Sequence, residues 1–258
     1  MLAVERRKKI AEIIAKEKSV LVTELGKMFS VTEETIRRDL EKLERQGILV
    51  RTYGGATLIE EADFEMPVQL RETINAEGKH LIGKVAAGLI HSGETIFLDA
   101  STSSLHVAKN IKDKKGLTVI TNSLKVIMEL SECDGIHLIS TGGILRNKSL
   151  SYVGRVAEKN ILDHYYANKA FLSCRGVTLT RGLADSNEQE AEIKKAMMQC
   201  TECVVLLCDQ SKLGKLGFPV FASLDDIDYM ITDVELDNDW KETLGKKGIN
   251  IVYANNME

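Results

Sequence analysis

Arg37 and Arg38 stand together in the stretch Thr32 to Arg45, and Arg51 and Tyr53 follow shortly after it. A guanidinium is a planar fork that pairs with O6 and N7 of guanine or with a phosphate. A second group of chemistry-bearing residues is spread over four polar, small-residue loops. These are Asp99-Ala100-Ser101-Thr102-Ser103-Ser104, Thr121-Asn122-Ser123, Thr141-Gly142-Gly143 and Asp209-Gln210-Ser211-Lys212. Hydroxyls and the unpaired N–H groups of a helix start hold phosphate, and Asp99 can accept from sugar hydroxyls. Glycines at 142 and 143 permit close backbone approach, Arg146 is a cation nearby, and Lys212 supplies a point charge. One serine at a helix start is usually only a cap. Four such loops at corresponding strand ends point to an anion site.

The elements that must position the arginines are legible before residue 58. Ile10, Ile13 and Ile14 have helical spacing, and Thr23 is read as the N-cap of a second helix with Leu25, Met28 and Phe29 on its buried side. Ser30-Val31 makes a tight turn. Thr32 caps a third helix with Ile36, Leu40 and Leu43 at i, i+4 and i+7, ended by Gly47. Ile48 to Thr52 and Ala56 to Leu58 read as strands around Tyr53-Gly54-Gly55. Three helices and a hairpin make a winged helix-turn-helix, whose second motif helix enters the major groove. DNA contacts are therefore assigned to Thr32, Thr35, Arg37, Arg38 and Lys42, with Arg51 and Tyr53 on the wing. Glu33 and Glu34 favour the helix dipole and oppose phosphate, so they are read as capping the helix. The alternative is a helical dimerisation or partner-binding unit with solvated arginines. That alternative fits the charge but leaves the turn, the helix spacing and the glycine-tipped hairpin unexplained.

Residues 58–78 form a polar connection containing Pro67, with Phe64, Met66, Val68 and Leu70 as docking residues. Beyond it, helical and strand-like segments alternate: 79–90 then 95–98, 103–111 then 117–120, 124–130 then 136–140. Later come 170–173, the helix 187–200, and strands at 203–208, 229–232 and 249–253. This is an α/β domain over 79–258 with a mostly parallel sheet, in which ligands bind beyond the carboxyl ends of the strands.

Charge follows the same division. Residues 1–57 hold 12 Lys+Arg against 9 Asp+Glu, a balance of +3, while the remainder holds 22 against 29, a balance of −7. The net −4 of the 258-residue chain therefore describes neither part. No run approaches the ~18 apolar residues of a membrane span, and the N-terminus has no secretory h-region, which places the protein in the cytoplasm. Five scattered cysteines in a reducing compartment are expected to stay free. Cys200 and Cys203 form a CxxC without a second pair at zinc-ligand spacing, and are read as buried side chains at a helix-to-strand junction. No metal or cofactor is expected.

The run Val31-Thr32-Glu33-Glu34-Thr35-Ile36-Arg37-Arg38-Asp39-Leu40-Glu41-Lys42-Leu43-Glu44, with Gly47 and Tyr53-Gly54-Gly55-Ala56, resembles the signature of DeoR-type transcriptional regulators. The resemblance continues through the rest of the chain. It implies a winged helix joined to a sensor domain similar to ribose-5-phosphate isomerase that binds phosphorylated sugars or related metabolites. It implies a repressor of sugar or polyol genes, binding double-stranded operator DNA as a homodimer or homotetramer. Effector contacts are assigned to Asp99, Ser101, Thr102, Ser103, Asn122, Gly142, Gly143, Arg175 and Lys212. The family's first loop usually carries glycine where this chain has Ser101. In the similar isomerases a segment resembling Ser173 to Thr178 carries acidic residues. Here Arg175 and Thr178 stand in their place, and arginine is no base at neutral pH. Arg175 reads as an anion contact or as a structural salt bridge. The alternative function is a sugar-phosphate isomerase-like enzyme with an appended DNA-binding unit, its base relocated to Asp185, Glu188 or Glu190.

Overall fold

The computed structural model describes residues 1–45, 47–58 and 65–256. The described chain divides into two compact units, Met1–Ile74 and Asn75–Glu258.

The first unit runs α1 (Ala3–Glu17), β1 (Ser19–Leu21), α2 (Val22–Phe29), α3 (Glu33–Arg45), β2 (Leu49–Thr52), β3 (Gly55–Leu58) and α4 (Val68–Arg71). Its core joins Ile10 and Ile14 of α1, Leu25 of α2 and Ile36, Leu40 and Leu43 of α3. Each such side chain contributes about 1.5–3 kcal/mol on burial. The apolar spacing that predicts α1 and α3 is thus the spacing that packs them; on α2 Leu25 is buried and Phe29 half-buried, but Met28, expected on the buried side, is 60% exposed, and Val22 and Gly26 are buried instead. Ser30 turns the chain between α2 and α3 with a left-handed φ of 53°, and the Val31 N–H reaches the Gly26 carbonyl at 3.0 Å.

β1, β3 and β2 form a small antiparallel sheet in that order, the wing being β2 and β3. Gly55 is obligatory here, because a Cβ would sit 2.2 Å from the Val20 carbonyl oxygen across the β1–β3 pair. Thr23 is not the cap expected of it. Leu21 pairs with Gly55, and the Val22 N–H bonds to Gly54 O at 2.9 Å, so α2 begins at Val22 and Thr23 lies within its first turn. Of the docking residues, Met66 and Leu70 join this core and Val68 is buried. Phe64 lies outside the described residues.

The second unit contains α5 (Ala76–Gly88), β4 (Thr95–Leu98), α6 (Thr102–Lys109), β5 (Leu117–Thr121), α7 (Leu124–Leu130), β6 (Ile136–Ser140), β7 (Ile144–Arg146), β8 (Ser151–Val153) and α8 (Arg155–His164). It continues through β9 (Ala167–Leu172), β10 (Gly176–Thr178), β11 (Gly182–Ala184), α9 (Glu188–Gln199), β12 (Thr201–Leu207), β13 (Val220–Ala222), β14 (Tyr229–Thr232), α10 (Asn238–Lys246) and β15 (Asn250–Tyr253). Seven parallel strands lie in the order β15-β14-β12-β9-β4-β5-β6. Alternate residues feed two cores: Ile96, Leu98, Val205 and Leu207 pack with α5, α6 and α7, while Phe97, Val204 and Leu206 pack with α8, α9 and α10. A strand buried on both faces reads as a continuous apolar run, which is why these strands were legible.

The sequence placed the change of domain over 58–78. The two units meet between Ile74 and Asn75, and α5 starts at Ala76. The β7–β8 hairpin, α8, α10 and the small sheet β10-β11-β13 are additions to the predicted elements. Their three-residue strands are too short to display a period. Cys200 closes α9 and Cys203 lies in β12, at the expected helix-to-strand junction, but only Cys200 is buried and Cys203 is half-buried. No helix among the described residues is long and apolar enough to cross a membrane.

Strand order reverses between β4 and β9: β5 and β6 continue from β4 to one side, and β12, β14 and β15 from β9 to the other. The crevice beyond the carboxyl ends of two such strands is where open α/β sheets bind ligands.

Candidate functional site

The first site is the outer face of α3 and the wing. Thr32 accepts the Thr35 N–H at 3.3 Å and its Oγ1 lies 2.9 Å from Thr35 Oγ1, closing the helix start. Arg37, Arg38 and Lys42 are exposed on one side of the helix, opposite the buried Ile36, Leu40 and Leu43. Glu33 and Glu34 do not cap. Each sits one turn before an arginine, with Arg37 Nη2 2.9 Å from Glu33 Oε2 and Arg38 Nε 3.2 Å from Glu34 Oε1. Exposed pairs of this spacing contribute only about 0.3–0.5 kcal/mol each, so a phosphate or base edge can displace them. Arg51 is held by Glu44 at 2.7 Å, and Tyr53 projects fully exposed from the wing tip. The helix itself is fastened from behind: Asp39 is buried and accepts from Arg6 Nε at 2.6 Å and Arg7 Nη1 at 3.3 Å.

The second site lies at the β4–β9 crevice. Lys212, from the turn after β12, reaches across the strand ends with its Nζ 3.1 Å from Ser103 Oγ and in contact with Ser173 Oγ. Ser173 Oγ in turn donates to Leu207 O at 2.6 Å. Lys212 Nζ also lies 3.3 Å from Asp209 Oδ2, a charge contact without hydrogen-bond geometry. Burial pushes the Asp209 carboxyl up, but the Lys212 and Lys79 charges and the Ser211 hydrogen bonds outweigh it and hold it at about 2. Burial likewise opposes the Lys212 ammonium, and Asp209 keeps it above its ordinary value. Thr102 and Ser103 are buried in the first turn of α6, beside this permanent cation.

Ser101 is the N-cap of α6, accepting the Ser104 N–H at 3.0 Å with an ordinary negative φ, so no glycine is required at that position. Asp99 does something different from the expected contact with sugar hydroxyls. Its Oδ1 accepts from Ser101 N at 3.0 Å and Ser104 Oγ at 2.6 Å, and its Oδ2 from Ser173 N at 2.9 Å and from Lys194 Nζ. With four donors on two oxygens, it braces the crevice. Lys194 is buried between Asp99 and Asp185, whose Oδ2 is 3.4 Å away. Burial opposes its charge, but Asp99 and then Asp185 and Glu190 raise its pKa above the ordinary lysine range. Sequence reasoning missed Lys194, since a lysine in an amphipathic helix looks the same whether it faces water or an aspartate.

Of the remaining assigned residues, Asn122, Gly142 and Gly143 lie further along the sheet, while Arg175 follows β9 two residues after Ser173. Asn122 follows β5 and donates to Tyr152 O at 3.1 Å, while its Oδ1 is buried with no hydrogen-bond partner among the described residues. Gly142 and Gly143 follow β6 with left-handed φ values of 64° and 110°. A Cβ on Gly143 would meet Val153 O at 2.7 Å, so this glycine serves the packing of β8 as well as any ligand. Arg146, read as a cation near these glycines, donates to Glu190 Oε1 at 2.8 Å and to Ser149 Oγ at 3.1 Å. Arg175 is half-buried between β9 and β10, with its N–H on Ala184 O at 2.8 Å. Among the described residues, no group of three or more His, Cys, Asp or Glu side chains could hold a metal.

A winged helix bearing an exposed basic face defines a helix-turn-helix DNA-binding protein, here joined to an α/β unit with a crevice lined by Lys212 and hydroxyls. The DeoR-like helix-turn-helix domain profile matches residues 6–62, and the DeoR C-terminal sensor domain profile matches residues 74–234. The chain is 45% identical over 251 residues to the HTH-type transcriptional regulator YulB of Bacillus subtilis, covering 97% of this chain and 96% of that protein. It is 34% identical to the HTH-type transcriptional regulator GlpR of Haloferax volcanii, over 98% of each chain. Against the HTH-type transcriptional repressor GlcR of B. subtilis it is 32% identical, over 98% of this chain and 97% of that one. Ribose 5-phosphate isomerase A of Methanocaldococcus jannaschii aligns at 19% identity with a TM-score of 0.41, over 54% of this chain and 55% of that one. The chain belongs to the DeoR family of helix-turn-helix transcriptional regulators.

Proposed function

We propose that this protein represses a sugar or polyol catabolic operon and that a phosphorylated sugar or polyol, bound at the carboxyl ends of β4, β9 and β12, changes its affinity for operator DNA. The observation that carries the effector half is the meeting of Lys212 with Ser103 at the first turn of α6. A buried ammonium beside the N–H groups of a helix start suits a phosphate dianion. The family membership and the repressor among its relatives support the regulatory half. Two half-sites read by two recognition helices suit a symmetric homodimer or homotetramer. The protein acts in the cytoplasm without metal or cofactor.

It works as a regulator rather than an isomerase. Proton abstraction beside a carbonyl needs a base with a free lone pair and a pKa near the working pH. Asp209 is held at about 2, and Asp99 carries four donors and is lowered by Lys194 against the opposing effect of burial; of the relocated candidates, Asp185 accepts the Ser186 N–H and lies 3.4 Å from Lys194, Glu188 is exposed to solvent, and Glu190 accepts from Arg146 and Ser151. The buried carboxylates among these are poor bases and good braces.

The test is a mobility-shift assay on the DNA upstream of the gene, with a panel of sugar and polyol phosphates. A shift that one phosphate abolishes or strengthens, with its unphosphorylated parent inactive, is the expected result. DNA binding indifferent to every phosphate would overturn the effector reading, and turnover of ribose 5-phosphate by the purified protein would restore the enzyme reading.

A further inference from the structure

The crevice is joined to the first residue of the second unit through one carboxylate. Asp233, buried just after β14, accepts the Gln210 N–H on Oδ1 at 2.7 Å and the Asn75 side-chain amide on Oδ2 at 2.6 Å. Gln210 opens the single 3-10 turn that ends in Lys212. Asn75 is the N-cap residue of α5, in a left-handed conformation with φ 47°, and follows directly on Ile74, the last residue of the DNA-binding unit. The contact is close-fitting: a Cβ on Gly78 would stand 2.0 Å from Asp233 Oδ2 and 2.6 Å from the Asn75 amide, so any side chain there would push them apart. The charge of Lys79, one turn into α5, also helps to lower the pKa of Asp209, the residue just before Gln210.

Lys212 faces Asp209 at 3.3 Å. An anion bound beside Ser103 would compete with Asp209 for that ammonium and so draw on the 209–212 turn. The Gln210 N–H belongs to that turn, so a shift of the turn would pull on the same carboxylate that holds Asn75 at the start of α5. A ligand shifts an equilibrium only by its differential affinity for the two arrangements, and here the difference is made by contacts that one arrangement has and the other lacks.

We propose that Asp233 is the positioning residue that transmits occupancy of the Lys212 anion site to the first turn of α5, where the chain passes into the DNA-binding unit. This rests on the reading of the anion site given above. In this role Asp233 acts by holding the Gln210 turn and Asn75 in one register.

The experiment uses the full chain and inorganic phosphate as the probe, with sodium chloride at matched ionic strength as control. Thermal unfolding reports binding, and amide hydrogen exchange over residues 76–82 reports the first turns of α5. Wild type, Asp233→Asn and Asn75→Gly are compared; the glycine keeps the left-handed backbone accessible, leaves the Asp233–Gln210 bond in place and guards against a folding defect in the first variant. Phosphate is expected to raise Tm in all three proteins. It should change exchange in the α5 segment by about fivefold or more in wild type, the lower end of ordinary coupling, and by less than twofold in both variants. An equal α5 response in the variants, or none in wild type despite a raised Tm, overturns the proposal. If phosphate raises Tm in no protein, the anion site itself fails and this inference fails with it, a pattern distinct from the other two.

Discussion

Arg6 donates through Nε to Asp39 Oδ2 at 2.6 Å, so the first helix and the recognition helix are fastened by a buried ion pair to which Arg7 adds a second contact at 3.3 Å. Removing one partner of such a pair leaves the other charge uncompensated. Asp39→Ala should therefore cost the first unit about 3–5 kcal/mol, read as an early transition in urea or heat. A variant that unfolds within about 0.5 kcal/mol of wild type would show the pair to be of the weak surface kind.

Arg37→Ala with Arg38→Ala should abolish operator binding while leaving effector-induced stabilisation of the second unit intact. For each of these arginines that neutralises a phosphate, its removal should also reduce the slope of log affinity against log salt by about 1. The intrahelical partners sharpen the test. Glu33→Gln with Glu34→Gln removes two pairs worth only about 0.3–0.5 kcal/mol each to the helix, and should tighten DNA binding by freeing both guanidinium groups. Weaker binding after that change would mean that the pairs orient the arginines for the groove.

Lys212→Met should remove the response to phosphorylated ligands and spare DNA binding. It also strands the buried Asp209 carboxylate, at a cost of about 3–5 kcal/mol, so it is best measured together with Asp209→Asn. The double variant should recover stability and still show no ligand-induced rise in Tm. Ser103→Ala, which removes one hydrogen bond, should weaken ligand binding at a stability cost of about 1 kcal/mol.

His106 gives a pH signature. Burial and the nearby Lys109, Lys79 and His80 charges hold its pKa down at about 4, against 6.5 for the free side chain. Between those two values the unfolded chain binds a proton that the folded protein refuses, so stability falls as pH drops from 6.5 towards 4. Because the ring is half-buried, the loss should be about 1–2 kcal/mol, less than the full shift implies. Denaturant midpoints across that window should flatten in His106→Gln. An unchanged slope would assign the dependence to other groups.

Local pattern was enough to determine the recognition helix, the wing and the main strands. Ile36, Leu40 and Leu43 can share one helix face only if Arg37, Arg38 and Lys42 are turned outward, and a strand such as Val204 to Leu207 is apolar throughout because both its faces are covered. Helical spacing and continuous apolar runs are local properties, carried by residues a few positions apart. Hydroxyl-rich loops were visible for the same reason.

What only the tertiary structure decided was which loops meet and which charges are already taken. Ser103 and Lys212 are 109 positions apart and become neighbours through strand order. Asp99, read as a ligand contact, is claimed by Ser101, Ser104, Ser173 and Lys194; Arg146, read as a spare cation, is claimed by Glu190; and Glu33 and Glu34, read as caps, pair with the recognition arginines. A charged side chain has the same chemistry in water and in a crevice. Its role is set by the partners that burial forces on it, and those partners come from distant parts of the chain.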